Sequence, residues 1–113
     1  MTDLKNKLYA LEAQLWQSQD NVPLLAEDFY EIGASGKVYV KTDVSPCDAI
    51  APKLAVDNFQ LSIITNDVAR CSYKLTELNR VTLRTSIWRN HDGKWQMVFH
   101  QGTVIQEEGV NNE

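Results

Sequence analysis

Arg84-Thr-Ser-Ile-Trp-Arg-Asn-His-Asp-Gly-Lys-Trp-Gln-Met-Val-Phe-His-Gln-Gly-Thr103 holds the clearest structural signal in the chain. Two runs of alternating side chains flank Asp92-Gly93, the dipeptide that most strongly favours a tight hairpin. The pattern predicts strands over 81–89 and 95–105, joined by a loop from Asn90 to Gly93. With Trp88 opposite Trp95, Ser86 faces Met97, Arg84 faces Phe99 and Thr82 faces Gln101. Side chains alternate along a strand, so these residues share one face of the sheet. Val81, Leu83, Ile87, Val98 and His100 are then expected on the other.

Both faces of this hairpin are rich in apolar residues. A sheet with one face under a helix and the other in water alternates more cleanly. The excess predicts two coverings, helices inside and a second copy of the chain outside. A homodimer through the outer sheet face is therefore expected.

Upstream, 58–65 and 68–78 read as two more strands around an Asn66-Asp67 turn. The second places Ala69, Cys71, Tyr73 and Leu75 on one face, with Arg70, Ser72 and Lys74 on the other. Residues 29–32 and 37–40 form an earlier hairpin about Gly33, Ser35 and Gly36. The first segment is helical: Leu4, Leu8, Leu11 and Leu15 recur at helix spacing over 2–17, with Lys5 and Glu12 assigned to the polar side. Val22, Leu24 and Leu25, with Pro23 in the first turn, predict a short second helix. Residues 42–55 read as a helical turn and a loop, and 106–113 as a frayed acidic tail. Helices first and antiparallel strands after them give an α+β domain, with helices on one face of the sheet.

At 113 residues the chain fits one domain, 1–113. Its net charge of -4 lacks the basic footprint that a phosphate backbone requires, so no nucleic-acid partner is expected. The N-terminus is charged throughout and no stretch has the apolar length of a membrane span, so no membrane partner is expected either. The two cysteines, Cys47 and Cys71, have no CxxC spacing. They are read as free thiols in a reducing cytoplasm. Two histidines and two cysteines at no ligand spacing predict no metal site, and no phosphate loop or cofactor fingerprint is present.

The 84–103 stretch, with its Trp, Asp-Gly turn, second Trp and Phe-His-Gln-Gly-Thr close, resembles the terminal hairpin of nuclear transport factor 2-like proteins. These are also called SnoaL-like or cystatin-like. The chain is most similar to the bacterial domain-of-unknown-function 4440 family, whose first hairpin Glu27-Asp-Phe-Tyr-Glu-Ile-Gly-Ala-Ser-Gly-Lys-Val-Tyr39 also resembles. The resemblance implies a cone: one strongly curved antiparallel sheet around a pocket, with N-terminal helices on its concave face. A more distant likeness is to the association domain of calcium/calmodulin-dependent protein kinase II. Where that hairpin carries pocket arginines, this chain has Ser86 and Gln101, so the likeness does not carry an anion site over.

A fold of this kind hosts many functions. The pocket is expected to bind a small molecule through Trp88, Arg84, Ser86, Tyr73, Gln101, Met97 and Trp16, without catalysis and without a cofactor. The alternatives are an isomerase-, dehydratase- or cyclase-type enzyme and a protein–protein interaction module. The enzyme reading would use Asp28 or Glu31 as base, with Tyr30, Tyr73 or His100 as partner, and it requires a carboxylate in the cavity with a raised pKa.

Overall fold

The computed structural model describes residues 2–17, 22–43, 55–77 and 80–105. Helix α1 (Thr2–Gln17) is followed by a 3-10 turn at Val22–Leu24. Six strands come next: β1 (Leu25–Ile32), β2 (Val38–Val40), β3 (Ala55–Thr65), β4 (Val68–Thr76), β5 (Val81–His91) and β6 (Lys94–Val104). They form one open, curved sheet in the order β2-β1-β6-β5-β4-β3. All neighbours are antiparallel except β1 and β6, which run parallel. The sheet is therefore mixed, not antiparallel throughout as expected: β1 and β6, far apart in the chain, lie side by side in the same direction.

The expected second helix is only the 3-10 turn, and strand β1 starts at Leu25 instead of Phe29. Leu25 and Ala26 are buried, and Gln96 donates from β6 to the carbonyls of Pro23 and Leu25. Sheet pairing thus captures residues whose local preference is helical. A 3-10 turn at Lys41–Asp43 stands at the start of the segment read as a helical turn, and the tail at 106–113 lies outside the described residues.

Asp92 and Gly93 both have positive φ, 56° and 85°. These are the conformations of a two-residue hairpin turn, so the ladder runs down to His91 opposite Lys94. Pairing continues with Asn90 opposite Trp95 and Trp88 opposite Met97, and Trp88 does not face Trp95. The ladder then shifts. Ile87 pairs with Phe99 and Ser86 with His100, leaving Val98 as an extra residue in β6. A bulge of one residue reverses which side chains face inward beyond it. His100 therefore joins Trp88, Ser86 and Met97 on the concave face, whereas the sequence had assigned it to the opposite one. Phe99 and Gln101 move to the convex face.

The concave face and α1 enclose the core: Leu8, Leu25, Phe29, Ala69, Cys71, Trp88 and Met97 are buried. The predicted inner row of β4 is reproduced, with Ala69, Cys71, Tyr73 and Leu75 all buried. Glu12 corrects the reading of α1. It follows Leu8 by one helical turn and precedes Leu15 by another, so it lies on the buried stripe and is 0% exposed. Its Oε1 accepts from the Tyr73 hydroxyl and its Oε2 from the Trp88 indole N–H, both at 2.8 Å.

Glu12→Ala would leave two buried donors unpaired, at a cost of about 2–5 kcal/mol. Trp88→Phe removes one donor and retains the other. Urea unfolding is expected to rank the proteins wild type, then Trp88→Phe, then Glu12→Ala, and an unchanged midpoint for Glu12→Ala would contradict this role.

Candidate functional site

A cavity of about 140 Å³ lies between the helix and the sheet, lined by Leu15, Leu25, Phe29, Glu31, Arg84, Met97 and His100. Leu15 comes from α1, the β1 residues from its inward positions, Arg84 from β5, and Met97 and His100 from either side of the bulge. Four walls are apolar and three residues are ionisable. Apolar walls with a few convergent polar groups are the usual composition of a ligand site.

The strand register brings the polar groups together. Glu31 pairs with His100 across β1 and β6, and His100 pairs with Ser86 across β6 and β5. Nδ1 of His100 lies 3.2 Å from Oε2 of Glu31, and the two side chains are 9% and 30% exposed. The hydrogen bond from the imidazole holds the Glu31 carboxyl below its ordinary value of 4.5, aided by the charges of His100 and Arg84 and opposed by burial. Arg84 donates through Nε to the Thr82 hydroxyl at 3.1 Å, and its Nη2 is 3.8 Å from Glu77. Glu77 in turn accepts from Arg80 at 2.9 Å.

Of the ligand-binding set read from the sequence, Arg84 and Met97 line the cavity. Trp88 and Tyr73 lie on the correct face but are core: both are buried and both donate to Glu12. Ser86 is also buried on that face, and its Oγ has no hydrogen-bond partner among the described residues. Gln101 is on the convex face because of the bulge, paired with Thr85 and Ile32. The side chain of Trp16 falls outside the described residues.

Of the catalytic candidates, Glu31 and His100 meet in the cavity, whereas Asp28 and Tyr30 do not. Asp28 accepts two hydrogen bonds from Arg89 at the surface, 3.1 and 2.9 Å, and that guanidinium lowers its pKa. Tyr30 is exposed on the convex face, edge-on to Phe99 with ring centroids 5.0 Å apart. The carboxylate in the cavity thus has a lowered pKa, the reverse of the raised one that a carboxylate base would need. Cys71 is buried, and burial with the nearby Glu12 charge pushes its thiol up to about 12, which removes it as a nucleophile. Sequence reasoning did not place Leu15, Leu25 and Phe29 in the cavity wall. The helical stripe and the two apolar residues flanking Glu27-Asp28 were the available signals.

No family profile and no curated protein matches the chain by sequence. Solved structures do match. A protein of unknown function from Prochlorococcus marinus superposes with a TM-score of 0.73 at 16% identity, over 94% of this chain and 96% of that one. The fold is nuclear transport factor 2-like. A Nostoc punctiforme protein described as having a cystatin-like fold gives 0.71 at 18% identity, over 95% of each chain. A candidate calcium/calmodulin-dependent kinase II association domain from Exiguobacterium sibiricum gives 0.73 at 13%, also over 95% of each. At such identities these likenesses to nuclear transport factor 2-like proteins carry the fold and do not select the 4440 family within it.

A carboxylate with a lowered folded-state pKa contributes stability above its ordinary value and loses it as the pH falls through the depressed one. Glu31→Gln is therefore expected to be less stable than wild type at pH 6. The gap in urea midpoint should narrow as the pH falls from about 5 to about 3. A gap independent of pH would show that the Glu31 charge contributes nothing to stability.

Proposed function

We propose that the chain is a small-molecule-binding domain that works as a homodimer, with its ligand in the cavity between α1 and the concave sheet face. The observation that supports this most directly is the cavity's composition: Leu15, Leu25, Phe29 and Met97 form apolar walls around Glu31, Arg84 and His100. An apolar cavity of about 150 Å³ is large enough for benzene, so a ligand of that size suits a space of about 140 Å³. The acidic net charge of -4 favours neither nucleic acid nor an anionic membrane as a partner. A reducing cytoplasm is the setting that best suits the free Cys71 thiol.

The convex face supports the dimer. Val40 and Tyr30 are register partners, as are Ile87 and Phe99, and Tyr30 lies beside Phe99. Leu83 is 51% exposed on the same side of β5 as Ile87. A contiguous apolar surface of this kind marks a place for a partner. The fold likeness to a kinase association domain is consistent with self-association.

Light scattering after size exclusion at micromolar concentration is expected to give twice the monomer mass, and Leu83→Glu to shift it to the monomer. Wild type running as a clean monomer would reject the dimer. For the pocket, Met97 supplies one of only two methionine methyls. Its ¹³C signal is expected to move on titration with small cyclic molecules, and an unmoved signal across a broad fragment set would reject the cavity as a binding site.

A further inference from the structure

Arg84 is a charged group in the cavity wall without a carboxylate bonded to it. Its side chain is only 17% exposed. Nε donates to the neutral hydroxyl of Thr82, and Nη2 is 3.8 Å from Glu77, too far for a hydrogen bond. Glu77 is engaged by Arg80 instead, at 2.9 Å. The other N–H groups of Arg84 have no acceptor among the described residues. Burying a charge is costly unless it is paired and hydrogen-bonded. An anion in the cavity would supply the missing acceptor.

His100 adds a second donor beside it. The protonated ring donates through Nδ1 to Oε2 of Glu31 at 3.2 Å. Its Nε2–H then has no acceptor among the described residues, although the side chain is only 9% exposed. Gly102 borders both cations. An added Cβ there would sit 3.9 Å from Arg84 Nε and 4.0 Å from His100 Cε1. Guanidinium and imidazolium thus share one space, which Gly102 leaves open for want of a side chain.

Charge and wall chemistry select the class of ligand. Arg80, Arg84 and His100 are positive and only Glu31 and Glu77 oppose them, which leaves one positive charge in excess. Glu12 of α1 is engaged by Tyr73 and Trp88 and does not line the cavity, and Cys71 of β4 keeps its proton. A single excess charge suits a monoanion, and a dianion would reverse it. The apolar walls require hydrocarbon on the same molecule. A carboxylate presents two acceptor oxygens in one plane, so it can accept from a guanidinium and an imidazolium together.

We propose that the cavity binds a small hydrocarbon monocarboxylate, which accepts from Arg84 and from Nε2 of the protonated His100 and lays its carbon skeleton against Phe29 and Met97. The inference rests on the ligand-binding reading of the cavity and names the ligand class. A space of about 140 Å³ limits the molecule to about six non-hydrogen atoms, by comparison with benzene. Glu31 is a positioning residue: it accepts from Nδ1, fixes the ring and favours its charged form. Binding is thereby linked to a proton. Affinity is greatest where the imidazole is charged and falls as the pH rises through the range in which histidine titrates. The ligand carboxylate stays ionised across that range.

The test titrates cyclopropanecarboxylate and its uncharged counterpart, cyclopropanecarboxamide, while following the Met97 methyl signal. At about pH 6 the carboxylate is expected to bind about tenfold more tightly than the amide, because hydrogen bonds between charged groups are the stronger ones. Its affinity should fall about tenfold between about pH 6 and about pH 8, and that of the amide should not. Arg84→Met should abolish the preference for the carboxylate, and His100→Gln its pH dependence. Gly102→Ala, which puts a methyl group into the shared space, should weaken the carboxylate; unchanged binding would place the anion elsewhere and overturn the inference. Equal affinity for carboxylate and amide, or a carboxylate affinity independent of pH, would overturn the anion class and leave the binding site standing. So would shifts with other fragments and none with the carboxylate. No shift with any of them would overturn both. The comparisons of ligand and pH need only wild type, so they decide the matter even where a variant fails to fold.

Discussion

The Glu12 carboxylate joins the helix to the sheet. The core residues packed across that boundary are apolar, and apolar contact is adaptable in position and angle. The two hydrogen bonds from Tyr73 and Trp88 are directional, and they come from neighbouring strands β4 and β5. They set both the rotation of α1 about its axis and its position along the sheet. Leu8 then lies in the core, and Leu15, further along the same stripe, reaches the cavity. The arrangement also assigns the aromatic residues. Tyr73 and Trp88 look like ligand-pocket walls by type, but their polar atoms are engaged by Glu12, and Trp88 is fully buried.

A second constraint decides the chemistry of the remaining space. The extra residue at Val98 reverses β6 between Met97 and His100, so that both line the cavity. Without it, His100 would share the convex face with Ile87 and Tyr30, and the cavity would hold Glu31 and Arg84 without an imidazole. Bulges bend strands and re-aim side chains. This one places His100 opposite Glu31, where parallel pairing with β1 completes the contact. A carboxylate that would otherwise pair with the Arg84 charge alone becomes an orienting group for a histidine.

The limits of legibility follow the same physics. The strands of the last two hairpins were readable because alternation and two-residue turns are local signals. The β4 rows came out correctly because that strand pairs with β5 without a register shift. The hairpin 84–103 was readable as a hairpin but not in its register, since nothing in Met97-Val98-Phe99 marks which residue is extra. That one ambiguity displaced Gln101 from the site and brought His100 in. Glu12 was misread because residue type outweighed position: glutamate reads as polar surface unless its buried partners are known, and they lie 61 and 76 residues away. Asp28 and Tyr30 were reasonable candidates by type, and the alternation of β1 turned both away from the cavity.

The sequence by itself determined the class of this protein: an amphipathic helix followed by alternating strands and tight turns, hence a helix on a sheet. These properties depend on periodicity and composition, which act over a few residues. Only the tertiary structure decided the site. The bulge at Val98, the parallel pairing of β1 with β6 and the burial of Glu12 each depend on residues far apart in the chain. Those contacts form only when the strands meet, and they determine which side chains share a cavity and which atoms in it remain unpaired.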